Sequence, residues 1–232
     1  MKKILETLKH KWAEYVLEIL VIIIGILGAF SLDNWNENRK LDIERVQNIQ
    51  SLHDDLMQDT LLINERIIYL KKSLKTVSSL MERAFGVKSN LDTVIFIAQT
   101  QYQPGIETIK NFNRSTFNSL QSSGKLELIN PKLKKLILGY YFEQERTSDL
   151  LKVTLDSYMQ QLLAYYREYP FNQTDKNTYL GRLAWRVKDE QDFVMSFNSM
   201  IGYHRHTLQI HLEYYQSLLD LSKNLLANIN QN

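Results

Sequence analysis

One group of residues near the C-terminal end of the chain has the types that could bind a metal. His204, His206 and His211 lie close together, with Glu213 beside them. A zinc-binding helix places two histidines one turn apart, at positions i and i+4, and this pair is missing here. His204 and His211 share a helix face, whereas His206 points about 200° away from His204. The spacing therefore favours solvent-exposed or interfacial side chains, and we expect neither a metal nor a cofactor.

The residues that catalysis or nucleic-acid binding would require do not appear as recognisable sets. Cysteine is absent, which excludes disulfides and thiol nucleophiles. The sequence contains no G-x-S-x-G motif, no phosphate-binding loop and no dinucleotide motif. The net charge is +2, and the excess of lysine lies in the first 14 residues rather than on a basic face. We therefore predict no catalytic residues, no enzyme activity and no nucleic-acid partner.

Tyrosine is abundant, with 13 residues in the chain. Its rings pack between helices, and they also line ligand grooves and protein contacts, so both interpretations stay open. The tyrosines concerned lie mainly in the second half of the chain: Tyr140, Tyr141, Tyr158, Tyr165, Tyr166, Tyr169, Tyr203, Tyr214 and Tyr215.

The element that comes first in the chain is a run of apolar residues. Residues 16–32 read VLEILVIIIGILGAFSL, in which Glu18 and Ser31 are the only strongly polar members. A helix of roughly 17–25 such residues crosses a bilayer. Bulky polar residues follow the run instead of a small-x-small cleavage site, which favours an uncleaved anchor over a signal peptide or a buried core helix. We predict a basic flank at residues 1–15 and a transmembrane helix at residues 16–35 in a lipid bilayer.

Aromatic residues flank the predicted span, and small residues lie within it. Trp12 and Tyr15 precede the apolar run and Trp35 follows it, where amphipathic rings favour the two headgroup layers. Gly25 and Ala29 form a small-x-x-x-small pair, with Gly28 beside them, which allows two helix backbones to approach closely. Glu18 either reaches the membrane interface or takes part in a subunit or ion-linked contact. The span is thus predicted to associate with a second copy or with another membrane protein.

Residues 18–40 read EILVIIIGILGAFSLDNWNENRK, and residues 122–129 read SSGKLELI. These two stretches resemble a family of uncharacterised bacterial single-span membrane proteins. Members of that family read G-E-I, then an apolar run with I-G-I-L, then N-N-W-N-E, and here Leu17 and Asp33 replace the usual Gly and Asn. A second stretch, Thr116 to Tyr141, carries the core S-S-G-K-L-E-L-I. The resemblance implies the architecture and no activity. The matching residues of the first stretch are Glu18, Ile19, Gly25, Ile26, Leu27, Asn34, Trp35, Asn36 and Glu37.

The orientation in the membrane follows from lysine and arginine. Four lysines precede the span, whereas Arg39, Lys40 and Arg45 follow it. The positive-inside rule then favours, by a small margin, a cytoplasmic N-terminus and a periplasmic C-terminal domain at the bacterial inner membrane.

The sequence beyond the span predicts an all-α chain in which the transmembrane helix continues into a long helix, followed by an antiparallel helical bundle. Residues 36–86 lack proline and have no glycine before Gly86, so they form one long coiled-coil-like helix. Short helices and a connector occupy residues 87–130, and long helices complete the bundle at residues 131–232. The predicted seam is Ile49, Leu56, Ile63, Ile67, Leu70, Leu74, Val77 and Met81, with His53 and Thr60 interspersed and Leu52, Leu61, Leu62, Ile68 and Leu80 widening it.

Turn and cap residues divide the second half of the chain. Asn90 caps a helix at residues 91–99, and Thr100 to Arg114, with Pro104-Gly105, reads as a loop. A short helix opens at Ser115 and ends at Gly124, and Asn130 caps a helix at residues 131–169. A loop at residues 171–176 then precedes helical sequence with a break near Lys188 or Gly202.

Residues 116–129 join the short helix to the long one, and two interpretations of them stay open. They form either a connector that fixes how the helices pack or a docking loop with Ser122, Ser123 and Lys125 as polar contacts.

Three functional hypotheses follow from these observations. The leading one is a membrane-anchored interaction or scaffold protein that self-associates and binds another protein. The second is an extracytoplasmic helical sensor domain that binds a small ligand and relies on a separate signalling partner. The third, a membrane enzyme, would require a polar cavity that the sequence gives no reason to expect.

Overall fold

The structure is a computed structural model that describes residues 2–107, 112–169, 178–179, 182 and 189–230; for residues 2–11, 13 and 15 it describes the backbone alone. Every regular element in these ranges is helical, which confirms the all-α prediction. The chain divides into two compact units, residues 1–51 and 52–232. Helix α1, Lys2–Phe85, contributes to both units.

The first unit contains the apolar run. Every side chain from Val16 to Leu32 is exposed, and an 18-residue window of this helix has a mean hydropathy of 2.3. The hydroxyl of Ser31 donates to the carbonyl of Leu27 at 2.8 Å, so its hydrogen bond is made within the helix itself. By length and composition the helix can cross a membrane.

The second unit contains a bundle of three long helices: residues 52–85 of α1, then α4, Pro131–Glu168, and α5, Glu190–Ile229. Helix α5 pairs Ser222 with Thr60 and Phe197 with Phe85, so it runs antiparallel to α1. It also pairs His211 with Thr154 and His204 with Tyr158, so it runs antiparallel to α4. Helices α1 and α4 must therefore run in the same direction.

The seam of α1 faces the chain's own bundle. Leu56, Ile63, Ile67, Leu70 and Val77 are buried, as are Leu52 and Leu80. The predicted widening of this stripe is wrong for the opposite side of the helix, where Leu61, Leu62 and Ile68 are exposed by 60%, 43% and 68%. The physical reason is angular, because these residues lie outside the arc that α4 and α5 cover.

Short helices connect Phe85 to Pro131. Helix α2, Leu91–Phe96, begins at Asn90, whose side chain accepts from the amide of Thr93 at 2.9 Å, and it continues into a π-helical turn at Ile97–Gln101. Helix α3, Ser115–Ser122, ends before Gly124, whose φ of +73° lies in the left-handed region. A 3-10 turn, Lys125–Leu128, follows.

The predicted caps and breaks of the long helices meet different outcomes. Asn130 caps α4, with its side chain accepting from the amide of Lys132 at 2.8 Å, as predicted. The suggested break at Gly202 is wrong, since α5 is continuous through it. Lys188 and the loop predicted at residues 171–176 lie outside the described residues.

Candidate functional site

Two aspartates of α1 bind the chain segment that leads into α3. The backbone amide of Asn113 donates to Asp59 Oδ1 at 3.0 Å, and its side-chain amide donates to Asp55 Oδ1 at 2.6 Å. The amide of Thr116 donates to Asp55 Oδ2 at 3.3 Å, so this carboxylate caps α3 from a neighbouring helix. From α4, Gln144 Nε2 donates to Asp59 Oδ2 at 2.8 Å. We call Asp55, Asp59, Asn113, Thr116 and Gln144 the acid cluster.

Burial sets the electrostatics of the acid cluster. Asp59 is completely buried, and desolvation raises its pKa from 3.8 to about 6. The hydrogen bonds from Asn113 and Gln144 oppose that rise, and the nearby charge of Asp55 adds to it. Burial likewise raises the pKa of Tyr140, beside Gln144.

Aromatic packing holds α3 against α4 next to the acid cluster. The rings of Phe117 and Tyr141 stack with their centroids 4.1 Å apart. Arg114 lies 5.8 Å from both ring centroids and forms an ion pair with Glu145 at 3.1 Å. These contacts favour the connector interpretation of the segment that follows Asn113.

A second buried group surrounds His204 on α5. Tyr158 donates its hydroxyl proton to the carbonyl of Pro104 at 2.6 Å. The hydroxyl of Tyr102 lies 3.4 Å from that of Tyr158 and 3.1 Å from His204 Nδ1. The ring of Tyr158 stacks on the imidazole, with centroids 5.0 Å apart. We call Tyr102, Tyr158 and His204 the histidine cluster.

Burial favours the neutral form of both His204 and His211. Their side chains are exposed by 1% and 2%, and desolvation lowers each pKa from 6.5 to about 4. Their hydrogen bonds differ, however. Nε2 of His211 bonds to Thr154 at 2.8 Å, whereas Nε2 of His204 has no hydrogen-bond partner among the described residues. The expectation of exposed or interfacial histidines is therefore wrong for both residues and holds for His206.

His204 lines an open groove of about 590 Å³ between α1 and the segment after the π-helical turn. This volume lies within the range of small-molecule sites. One wall, from α1, holds Tyr69, Lys72, Ser73, Thr76, Val77 and Leu80, and the other holds Gln101, Gln103, Gly105, Ile106 and Glu107.

Hydrogen bonds join the two walls of the groove. The hydroxyl of Tyr69 donates to the carbonyl of Gly105 and accepts from the amide of Glu107, both at 3.3 Å. Arg66 donates to Glu107 at 2.8 Å, which neutralises that carboxylate. A second buried polar atom of the groove, Gln101 Oε1, has no hydrogen-bond partner in the described part of the chain. Two residues of the groove lining, His204 and Gln101, therefore each carry a buried side-chain atom without a hydrogen-bond partner among the described residues.

The model of DUF6090, a family of unknown function, matches residues 18–156, more than half of the chain. The chain belongs to this family. No curated protein and no solved structure matches it. The DUF6090 match contains the whole acid cluster, both groove walls, Tyr102 and residues 131–156 of α4. Tyr158, His204 and His211 lie beyond it.

The residues predicted to contact the membrane belong to the unit of residues 1–51. Trp12 and Trp35 are exposed by 64% and 62%, and Tyr15 is one of the residues whose backbone alone the structure describes. Glu18, Gly25, Gly28 and Ala29 are all exposed. Apart from the adjacent residues and the backbone of the helix itself, no described atom lies within 4 Å of a methyl group placed on Gly25 or Gly28.

Two of the three predicted docking residues form hydrogen bonds to the backbone of α3. The hydroxyls of Ser122 and Ser123 both donate to the carbonyl of Ser119, at 3.1 and 2.7 Å, and so cap the end of α3. Lys125 is half-buried in the following turn. The structure does not bring these three residues to the groove.

The sequence did not reveal the groove or the acid cluster. Asp55 and Asp59 look like two ordinary charges on a helix until the connection returns to α1. A signal was present nonetheless, since Asp59 and Thr60 interrupt the buried stripe between Leu56 and Ile63. Polar residues on a buried stripe are expected to have partners.

Proposed function

We propose that this chain is a membrane-anchored helical interaction protein without catalytic activity, in which residues 16–35 anchor the bundle in a bilayer. One observation carries the anchor: seventeen successive residues, nearly all apolar, have exposed side chains around the entire helix. A helix that is apolar on every side needs either a protein core or lipid around it. The lysines before the span support a cytoplasmic N-terminus and a periplasmic bundle at the bacterial inner membrane.

Self-association, or association with another membrane protein, is the interaction that the open faces support. Gly25 and Ala29 lie one turn apart on the exposed helix and permit close backbone approach. On the same helix within the bundle unit, Met57, Leu61 and Ile68 are exposed by 42%, 60% and 68%. Exposed apolar side chains that recur along one helix are typical of protein contacts.

The anchor and the association are tested together on the full chain. In isolated membranes the protein should resist extraction at alkaline pH, and a variant carrying both Ile22→Arg and Ile26→Arg should be released. In mild detergent, crosslinking and native mass spectrometry should detect oligomers that Gly25→Leu weakens. Ile26→Leu is the matched control, because it changes an apolar residue on another face. Only monomers for the wild-type protein would contradict the association.

A second candidate function is a ligand-binding sensor domain held at the membrane. The groove favours it, because its volume suits a small molecule and two of its lining residues, His204 and Gln101, carry buried polar atoms without partners among the described residues. Thermal stabilisation of the full chain by small molecules tests this function.

A further inference from the structure

We propose that the groove binds a small uncharged molecule bearing hydroxyl groups, such as a sugar or a polyol, and that one ligand hydroxyl donates a hydrogen bond to His204 Nε2. This inference rests on the second candidate function, and it names the chemical class of the ligand and the atom that recognises it.

The positions of the protons in the histidine cluster make Nε2 an acceptor. A carbonyl only accepts, so the single hydroxyl proton of Tyr158 is committed to Pro104. In the contact between the two tyrosines, the hydroxyl of Tyr102 must then donate to that of Tyr158. Because Tyr102 has no second proton, His204 Nδ1 must donate to the hydroxyl of Tyr102. A neutral imidazole with a proton on Nδ1 carries a lone pair on Nε2.

The reverse arrangement satisfies fewer contacts. If Tyr102 donated to Nδ1, the Tyr102–Tyr158 contact would contain no proton, and its two oxygens would face each other with lone pairs. The chain of donors from His204 through Tyr102 and Tyr158 to Pro104 gives each of the three contacts one proton. His204 Nε2 is consequently an acceptor at the end of a complete chain.

The charges of the groove favour a neutral ligand. An anion would bring lone pairs against Nε2 and against Gln101 Oε1, both of which are acceptors. A cation would find Glu107 already paired with Arg66. Lys72 is the remaining charged residue of the lining, and its side chain is exposed to water.

The remaining lining suits a molecule that combines O–H and C–H surfaces. Ser73, Thr76 and Gln103 supply neutral polar groups, while Val77, Leu80 and Ile106 supply apolar contacts. Two buried acceptors, His204 Nε2 and Gln101 Oε1, call for at least two donors on the ligand. A sugar or polyol offers both kinds of surface together with several hydroxyl donors, and it fits in about 590 Å³.

The experiment uses the full chain, labelled with ¹⁵N-histidine, in phosphatidylcholine vesicles. Maltoside and glucoside detergents are avoided, because they carry the ligand class under test. The probes are glucose, ribose, myo-inositol and glycerol, and the charged controls are sodium acetate and tetramethylammonium chloride. Solid-state NMR at pH 7 should show His204 Nε2 without a proton, and at least one neutral probe should shift its resonance in a saturable way.

Matched variants separate recognition from folding. His204→Phe should weaken binding of the responding probe about tenfold, the effect of one lost hydrogen bond to a buried acceptor. His211→Phe is the control, because it changes a histidine equally buried on the same helix but bonded to Thr154. It should leave the affinity within about twofold. Gln101→Leu should weaken binding without altering the core helices. Lys71→Gln changes an exposed lysine outside the groove lining and should leave binding unchanged.

The outcomes distinguish this proposal from the function on which it rests. A response to acetate or tetramethylammonium alone would overturn the neutral ligand class and leave a ligand-binding function standing. A proton on Nε2 would overturn the acceptor assignment. If none of the neutral probes shifted His204 and no other molecule stabilised the chain, the proposal and the sensor function would both fall.

Discussion

The acid cluster and the histidine cluster are two buried polar groups of one bundle, and they use their hydrogen bonds differently. In the acid cluster, Asp55 and Asp59 accept bonds from Asn113, Thr116 and Gln144, so that the polar atoms join three segments of the chain. The leftover atom of that cluster, Gln144 Oε1, belongs to a side chain with no exposed surface. In the histidine cluster, the leftover atom belongs to a residue that lines an open groove. The comparison teaches that the two clusters differ in access to a cavity rather than in burial, which is why the proposed ligand contact is placed at His204.

The largest expected effect is a loss of unfolding free energy in acid, caused by the two buried histidines. Each has a folded pKa of about 4 against 6.5 when unfolded, so the unfolded chain binds more protons between these values. Stability contributed by each histidine is present above pH 6.5 and is lost as pH falls toward 4, by up to about 3 kcal/mol each. Chemical unfolding of the full chain in micelles between pH 8 and 4 measures the loss.

The control for the histidine prediction lies on the same helix. His211→Phe should flatten the acid limb of the profile by about half of the histidine contribution. His206→Gln changes an exposed histidine and should leave the profile unchanged. Equal slopes in wild-type protein and His211→Phe would refute the assignment of a buried neutral histidine.

Asp59→Asn should give the next largest effect, with the opposite sign. Because the folded pKa of Asp59 is raised to about 6, its protonated form favours folding, and that contribution is lost as pH rises from 3.8 through 6. The variant stays neutral, so at pH 7.5 it should be more stable than wild type by about 1–3 kcal/mol. Rotation of the Gln144 amide would turn Oε1, now unsatisfied, toward the new amide group.

Unfolding at two pH values checks the Asp59 prediction. The gain over wild type should be present at pH 7.5 and should shrink at pH 4, where the aspartate is protonated in the folded chain. Asp54→Asn, an exposed neighbour in sequence, is the matched control. A gain that did not depend on pH would count against ionisation of Asp59 as its cause.

The smallest effect is expected for Asn113→Ala, which weakens the acid cluster without removing a charge. The variant loses the side-chain bond to Asp55 and the bond from the hydroxyl of Ser115 to Asn113 Oδ1 at 2.9 Å, but keeps the backbone bond to Asp59. We expect a loss of about 1 kcal/mol in unfolding free energy. The His204 resonance should be unaffected, and a shift there would show that the two clusters are coupled.

The sequence predicted the helices and their ends well, because those depend on local residues. Asn90 and Asn130 act as caps, and the apolar spacing from Leu56 to Val77 gives the buried stripe that the structure contains. It failed for Leu61 and Ile68, because hydrophobicity does not tell which arc of a helix its neighbours will cover.

The site itself could not be predicted from spacing. The spacing of His204 and His211 lacks the i, i+4 pair of a metal site and so predicts side chains at the surface or an interface. Contacts with Tyr102 and Thr154, far away in sequence, bury them instead. Local patterns carry no information on such pairings. The predictions made for the span, at Glu18, Gly25, Gly28 and Ala29, stay predictions, because they concern lipid and other chains.

Because α1 and α4 run in the same direction, the chain between Phe85 and Pro131 must travel back along the bundle before α4 begins. This return strap supplies Gln101 to the groove, Tyr102 to the histidine cluster and Asn113 to the aspartates. Neither site is therefore complete in any single pair of long helices. If a protease cuts the chain within the strap, recovery of the His204 signal after the two fragments are mixed would report whether the strap finds its place without a continuous chain.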